Sequence, residues 1–261
     1  SDYVNQPKGV TTLYPFAKTR YWYAEPKTQS IFLDRREYYF SQHQLFGTPI
    51  LPGVAHVYHM AQFAFSKFNS QVLQLDDIQW LSPILCEQEE DTVEIKLNHE
   101  TRGNQLKISL DNIKPHSRLI AQRIELMELT FNDKMKDCVH AYPVASIYQT
   151  FREKGWFHGP EFQGIKSLLI DQNKQCCLAS IQLNSNEVDE NYTLDPRLFD
   201  SVLQSVSVLQ RELPANQVYI PQSIQQLKLY RPWPKSFQVF CETIENSVNQ
   251  VQYHITLFDE N

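Results

Sequence analysis

The chain has 261 residues, a formal net charge of −6 at pH 7, 42% hydrophobic residues, and 15 Phe, 13 Tyr and 4 Trp. That is enough apolar and aromatic material for one large domain or two small ones, and it excludes a disordered or fibrous chain. The negative balance and the lack of a basic run argue against a nucleic-acid partner, and no apolar run is long enough to span a membrane.

Residues 1–29 read as a linker, polar and without periodicity, carrying Pro7, Pro15 and Pro26. No signal peptide is visible, and a first residue of Ser1 rather than Met suggests a segment of a longer polypeptide. Residues 37–40 suggest a strand that delivers His43 to a loop punctuated by Gly47, Pro49 and Pro52. Val54, Val57, Tyr58, Ala61 and Phe65 then recur at helical spacing and predict a helix from Gly53 to about Phe68. Residues 93–97, 106–110 and 124–126 alternate as strands, with turns at Gly103 and around Asn112 and Pro115. A helix apolar nearly all round, followed by an antiparallel meander, implies a curved sheet that covers the helix.

Residues 132–143 form a polar link. The second half, from 144, repeats the plan: a short helix to about 154, strands over 164–170 and 177–183, then a second long helix over about 197–212. Asp195 can cap that helix and Pro196 fits its first turn. Strands over 225–230, 237–243 and 251–258 close the chain. No sequence repeat relates the two halves.

The chemistry-bearing residues sit at two helices. At the start of the first, the N–H groups of Gly53 and Val54 lack intrahelical partners, and together with the helix dipole they offer a pocket for developing negative charge. His43 stands beside that pocket, and an ordinary pKa of about 6.5 suits an imidazole to removing a proton near neutrality. On the second helix Asp200 and Gln204 are four residues apart and share a face otherwise rich in Leu and Val. Asp200 is either a buried carboxyl, held neutral and able to donate a proton to chemistry, or part of a solvated stripe; spacing alone leaves both open. His56 and His59 have a spacing that two metal ligands could use, but no third ligand is placed, so no metal is expected. Five cysteines, Cys86, Cys138, Cys176, Cys177 and Cys241, lack a Cys-x2-Cys spacing and read as reduced thiols of a cytoplasmic protein. No Gly-rich phosphate loop is present.

Three motifs carry a family resemblance. His43-x3-Gly47-x4-Pro52 resembles the signature of polyketide synthase dehydratase domains. Asp200-x3-Gln204, in the run from Leu194, is similar to that family's second motif, with Asp195–Pro196 where His-Pro is usual. Gly155, Gly159, Pro160 and Phe162 match a third, Gly-Tyr-x-Tyr-Gly-Pro-x-Phe, but Trp156 and His158 replace its two tyrosines. Residues 14–22 resemble the segment that leads into such a domain, and residues 219–224 the strand that follows the acid helix.

The resemblance implies an α+β double hotdog, with residues 30–131 as the N-terminal hotdog, 132–143 as the link and 144–261 as the C-terminal hotdog. It implies a hydro-lyase that eliminates water from a β-hydroxyacyl thioester, with His43 as base and Asp200 as acid. Gly47, Pro52, Gly53, Val54, Trp156, His158, Gly159, Pro160 and Gln204 would border the substrate. No cofactor of the chain's own is implied: the substrate rides on the phosphopantetheine arm of an acyl carrier protein. Neighbouring synthase domains, and in some members a second copy of the chain, are the other expected partners. A double-bond isomerase or cyclase of the same fold, or a double hotdog that only docks carrier protein, are the alternatives.

Overall fold

A computed structural model describes residues 28–70, 72–86, 91–112, 114–125, 133–185, 194–210, 220–247 and 250–258. The segment 14–22 therefore lies outside the described residues. In the first half, β1 (Thr28–Asp34) is followed by a helical turn α1 (Tyr38–Ser41), β2 (His43–Leu45), β3 (Thr48–Pro49) and α2 (Gly53–Phe68). Then come β4 (Leu73–Trp80), β5 (Thr92–Arg102), β6 (Gln105–Asp111) and β7 (Pro115–Arg123). The second half supplies β8 (His140–Ala141), α3 (Val144–Glu153), β9 (Trp156–His158), β10 (Ile165–Ile170), β11 (Cys176–Gln182) and α4 (Pro196–Ser205). It closes with β12 (Ser223–Leu229), β13 (Ser236–Asn246) and β14 (Val251–Phe258). Among the described residues, no helix is long and apolar enough to cross a membrane.

Two antiparallel sheets, ordered β1-β5-β6-β7-β4-β12 and β14-β13-β11-β10-β8, each wrap one long helix: α2 packs on β4, β6 and β7, and α4 on β10 and β11. This is the double hotdog arrangement. The helices also pack on each other, so Val57 and Ala61 of α2 share one continuous core with Leu198 and Val202 of α4. A third small sheet, β3-β2-β9, staples the halves together beside the helix ends. The halves of the chain do not coincide with the halves of the fold. β12 comes from the C-terminal part yet pairs with β4 in the N-terminal sheet, and β8 lies within the polar link yet pairs with β10.

α2 starts after Pro52 and ends where Asn69 turns left-handed, at φ 46°. There Ser70 N–H reaches Phe65 O and Asn69 N–H reaches Ser66 O, both at 3.3 Å, a Schellman-type closure with Asn where Gly is commoner. α4 opens as its sequence suggests, with the Asp195 carboxylate accepting from Arg197 N–H at 2.8 Å and Pro196 in the first turn.

Several elements differ from expectation. Residues 37–40 are not a strand: Tyr39 and Phe40 are consecutive and both buried, which a helical turn permits and a one-sided strand does not. Of the strand expected over 124–126, residues 124 and 125 are not in a strand and residue 126 lies outside the described residues. The strand observed is β7, just before, whose polar run Pro115-His-Ser-Arg hid the alternation and which tolerates Pro115 as its first residue. α4 stops at Ser205 and tightens into a 3₁₀ turn over Val206–Leu209, and residues beyond 210 in the expected helix lie outside the described set. The Ser205 hydroxyl donates to Val202 O at 2.6 Å, competing for the carbonyl the next helical N–H would use. β1 and β4 had no sequence expectation. In β4 a bulge at Asp77, with φ 51°, shifts the buried face from Leu73 and Leu75 to Ile78 and spoils the period-two signal.

Candidate active site

The site is assembled from three segments. The first is β2. His43 is its first residue, and Ile50, across the hairpin, holds it twice: Ile50 N–H donates to His43 O at 3.1 Å, and His43 Nδ1 lies 2.9 Å from Ile50 O. A carbonyl oxygen only accepts, so Nδ1 carries the proton and Nε2 keeps its lone pair. The hairpin that allows this turns at Phe46 and Gly47, with φ 49° and 78°, the two positive values a type I′ turn requires.

The second segment is β9 and the turn after it. β9 pairs with β2 so that His158 lies opposite His43. The Gly159 N–H donates to Gln42 O at 2.8 Å and the Glu161 N–H to Gln42 Oε1 at 3.0 Å. Gln42 sits so close that a Cβ on Gly159 would come within 2.6 Å of its side chain, so glycine is needed there for the approach.

The third segment is α4. Gln204 Nε2 donates to Asp200 Oδ2 at 2.6 Å and to Phe162 O at 3.0 Å, which ties the carboxylate to the turn that follows His158. Arg197, itself buried, bonds Asp195 Oδ2 at 2.8 Å and Glu161 Oε2 at 2.7 Å, and its guanidinium lies 4.8 Å from the centre of the Tyr38 ring. One cation thus touches all three segments: α1 ahead of His43, the turn after His158, and the cap of the Asp200 helix. Burial works against its charge, and Asp195 with Glu161 more than restores it.

These segments bring His43, His158 and Asp200 together, with one donor atom of each within 4.8 Å of the other two. His158 Nε2 is 3.8 Å from Asp200 Oδ2, too long for a direct hydrogen bond. The two imidazoles meet edge to face with centroids 5.3 Å apart, and Trp156 and Phe162 each lie 5.4 Å from His43. Burial among these rings pushes His43 below its ordinary pKa, against the opposing pull of Asp200, and pushes His158 down to about 4. Both imidazoles are therefore neutral near pH 7. The Asp200 side chain is 14% exposed, so the solvated-stripe reading of its helix fails: Asp200 faces the cluster.

Two family profiles divide the chain between them. Residues 23–111 match the polyketide synthase dehydratase domain, and residues 129–261 match the profile described as polyketide synthase dehydratase N-terminal domain. The chain belongs to the polyketide synthase dehydratase family. Among curated relatives, polyketide synthase PksM of Bacillus subtilis (strain 168) is 25% identical over 298 residues, covering 95% of this chain and 7% of PksM. Polyketide synthase ThaG of Burkholderia thailandensis is 24% identical over 242 residues, covering 74% of this chain and 4% of ThaG. The chain thus spans only a small part of the relatives it matches. Among solved structures, the dehydratase domain of RzxB from Pseudomonas fluorescens superposes with TM-score 0.79 at 19% identity, covering 89% of this chain and 88% of that one. A trans-AT synthase dehydratase domain from Brevibacillus brevis gives TM-score 0.79 at 22% identity, with the same coverage of 89% and 88%. At these identities the likeness is one of fold.

Within this family member the expected site residues divide into two groups. His43, Trp156, His158, Asp200 and Gln204 converge, and Gly159 holds the turn that presents His158. Pro52 is the N-cap of α2, and Gly53 and Val54 are its first two residues, whose N–H groups no intrahelical carbonyl can reach. Trp80 locks that end by donating Nε1–H to Gly53 O at 2.7 Å. Gly47 and Pro160 are exposed and serve turns rather than the cluster. Sequence reasoning passed over Gln42, Ile50, Glu161 and Arg197. Only Arg197 left a signal: an arginine two residues after a helix-capping aspartate, on a helix this apolar, must find buried partners.

Proposed function

We propose that the chain dehydrates a β-hydroxyacyl thioester carried on the phosphopantetheine arm of an acyl carrier protein. One observation carries this reading: a histidine with an unprotonated Nε2 and a carboxyl group from the other hotdog share one cluster, within 4.8 Å. His43 Nε2 takes the proton α to the thioester carbonyl. The N–H groups of Gly53 and Val54 stabilise the oxygen as it gains enolate character, each such donor being worth roughly 3 kcal/mol of barrier. Asp200, in its protonated form, gives its proton to the β-hydroxyl, which leaves as water; the product is the α,β-unsaturated thioester. Gln204 orients the acid. The reaction moves two protons and no electrons, so no bound cofactor is required.

The curated relatives are polyketide synthases far longer than this chain, which supports a place beside other synthase domains in the cytoplasm and delivery of substrate by carrier protein. The test is intact-mass analysis of a β-hydroxyacyl carrier protein incubated with the chain. Loss of one water is expected. His43→Ala and Asp200→Asn should each reduce that loss by about 10²- to 10⁴-fold while circular dichroism stays native. An unchanged mass with a migrated double bond would instead support an isomerase, and an untouched substrate a carrier-docking scaffold.

A further inference from the structure

We propose that His43, His158 and Asp200 form a binding site for a divalent transition-metal cation of the zinc type, and that the bound cation blocks the elimination. The inhibitory half of this rests on the dehydratase reading; the binding half does not. Among the described residues, these three make up the one group of three or more His, Cys, Asp or Glu side chains whose donor atoms converge. His56 and His59, whose spacing two metal ligands could use, meet no third ligand among the described residues.

The donor set is right for the class. Two imidazoles and one carboxylate suit zinc, cobalt or nickel, whereas magnesium and calcium prefer oxygen ligands alone. In a tetrahedral site with bonds of about 2.0–2.1 Å, adjacent donors stand about 3.3–3.4 Å apart. His158 Nε2 and Asp200 Oδ2 are already at 3.8 Å, so shifts of a few tenths of an ångström in that pair would close around a cation. Both rings are buried, so their donor atoms are held in place rather than swept about in solvent.

The surrounding shell is half built. His43 donates Nδ1–H to Ile50 O at 2.9 Å, the kind of outer contact that orients a metal-bound imidazole through its other nitrogen. Gln204 holds Asp200 in the same way at 2.6 Å. His158 differs: its Nδ1 is buried and has no hydrogen-bond partner among the described residues. Missing outer partners typically weaken metal binding about 10- to 100-fold, so the site should bind reversibly rather than hold a permanent ion. The third donor comes from the position where the Gly-Tyr-x-Tyr-Gly-Pro-x-Phe motif departs from pattern, so the site is a property of this chain's own residues. A cation here occupies the lone pair that His43 needs and holds Asp200 as an anion, which removes base and acid together.

The experiment is a titration of the whole chain with cobalt(II) chloride, read by its visible d–d absorption, followed by displacement with zinc chloride. A one-to-one complex with tetrahedral or five-coordinate intensity is expected, and His158→Phe should weaken it at least tenfold. If that variant does not fold, the same question is put to the unmodified chain by ¹⁵N imidazole shifts, which should move at His43 and His158 on adding zinc. A thiolate-to-cobalt charge-transfer band, equal affinity in His158→Phe, or unmoved imidazole resonances would each overturn the site. In the mass assay, zinc should inhibit turnover of the unmodified chain, and chelator should restore it. Cobalt binding without any turnover would sink the dehydratase reading and leave the site standing. Turnover indifferent to zinc would sink the inhibition.

Discussion

His43 has one ring nitrogen committed to a backbone carbonyl and the other left as a base, and burial keeps that base neutral. The consequence appears in the pH profile. Because the folded His43 titrates below the ordinary histidine value of about 6.5, the acid limb of kcat/KM should fall below that pH rather than at it. A limb at or above 6.5 would mean that His43 is solvated or is not the base. Gly159 makes a second residue-scale prediction. A methyl group there would meet the Gln42 side chain, whose Oε1 also holds Glu161 N–H, so Gly159→Ala should cost about 1–3 kcal/mol of stability by overpacking. Urea melts measure it, and a neutral effect would show that Gln42 can swing aside.

At the scale of elements, the site depends on holding α4 against the turn after β9. Arg197 does this from within the core, between Asp195 and Glu161. Removing one partner of a buried ion pair strands the other, so Arg197→Met should destabilise the chain by about 3–5 kcal/mol, with Asp195 left 4% exposed and without its cation. A loss below about 1 kcal/mol in chemical denaturation would show that backbone capping alone satisfies Asp195. Element boundaries were legible where the local signal was strong. α2 begins and ends at the expected residues because the apolar spacing after the Gly- and Pro-punctuated loop is strong. β4 and β7 were not, because a bulge and a polar run erase the alternation that a strand displays.

Over the whole molecule, the two hotdogs share one core, and α2 buries more than apolar side chains in it. His56 is buried with no hydrogen-bond partner at either ring nitrogen among the described residues, and burial depresses its pKa to about 3 and that of His59 to about 4. The unfolded chain therefore binds protons that the folded chain refuses. These terms are fully favourable above about pH 6.5 and are lost as pH falls toward about 4 and then 3. Stability should drop on acidification across that window, by up to about 1.4 kcal/mol per pH unit for each histidine. His56→Leu should flatten the slope by about one proton's worth in urea melts between pH 7 and 4, and an unchanged slope would show that His56 reaches solvent.

The amino-acid sequence alone determined the three longer helices, half of the strands, the loop carrying His43 and the helix face carrying Asp200 and Gln204. Each of these is written in spacing over a few residues, where capping, turn chemistry and side-chain period act locally. Tertiary structure decided what spacing cannot encode: that residues 157 positions apart share one cluster, that His158 completes it, and that β12 crosses to the other sheet. Those outcomes follow from the pairing of β2 with β9 and the packing of α2 on α4, contacts between segments whose sequences carry no mark of one another. The roles of Gln42 and Arg197 belong to the same class, since a buried polar side chain shows its purpose only once its partners surround it.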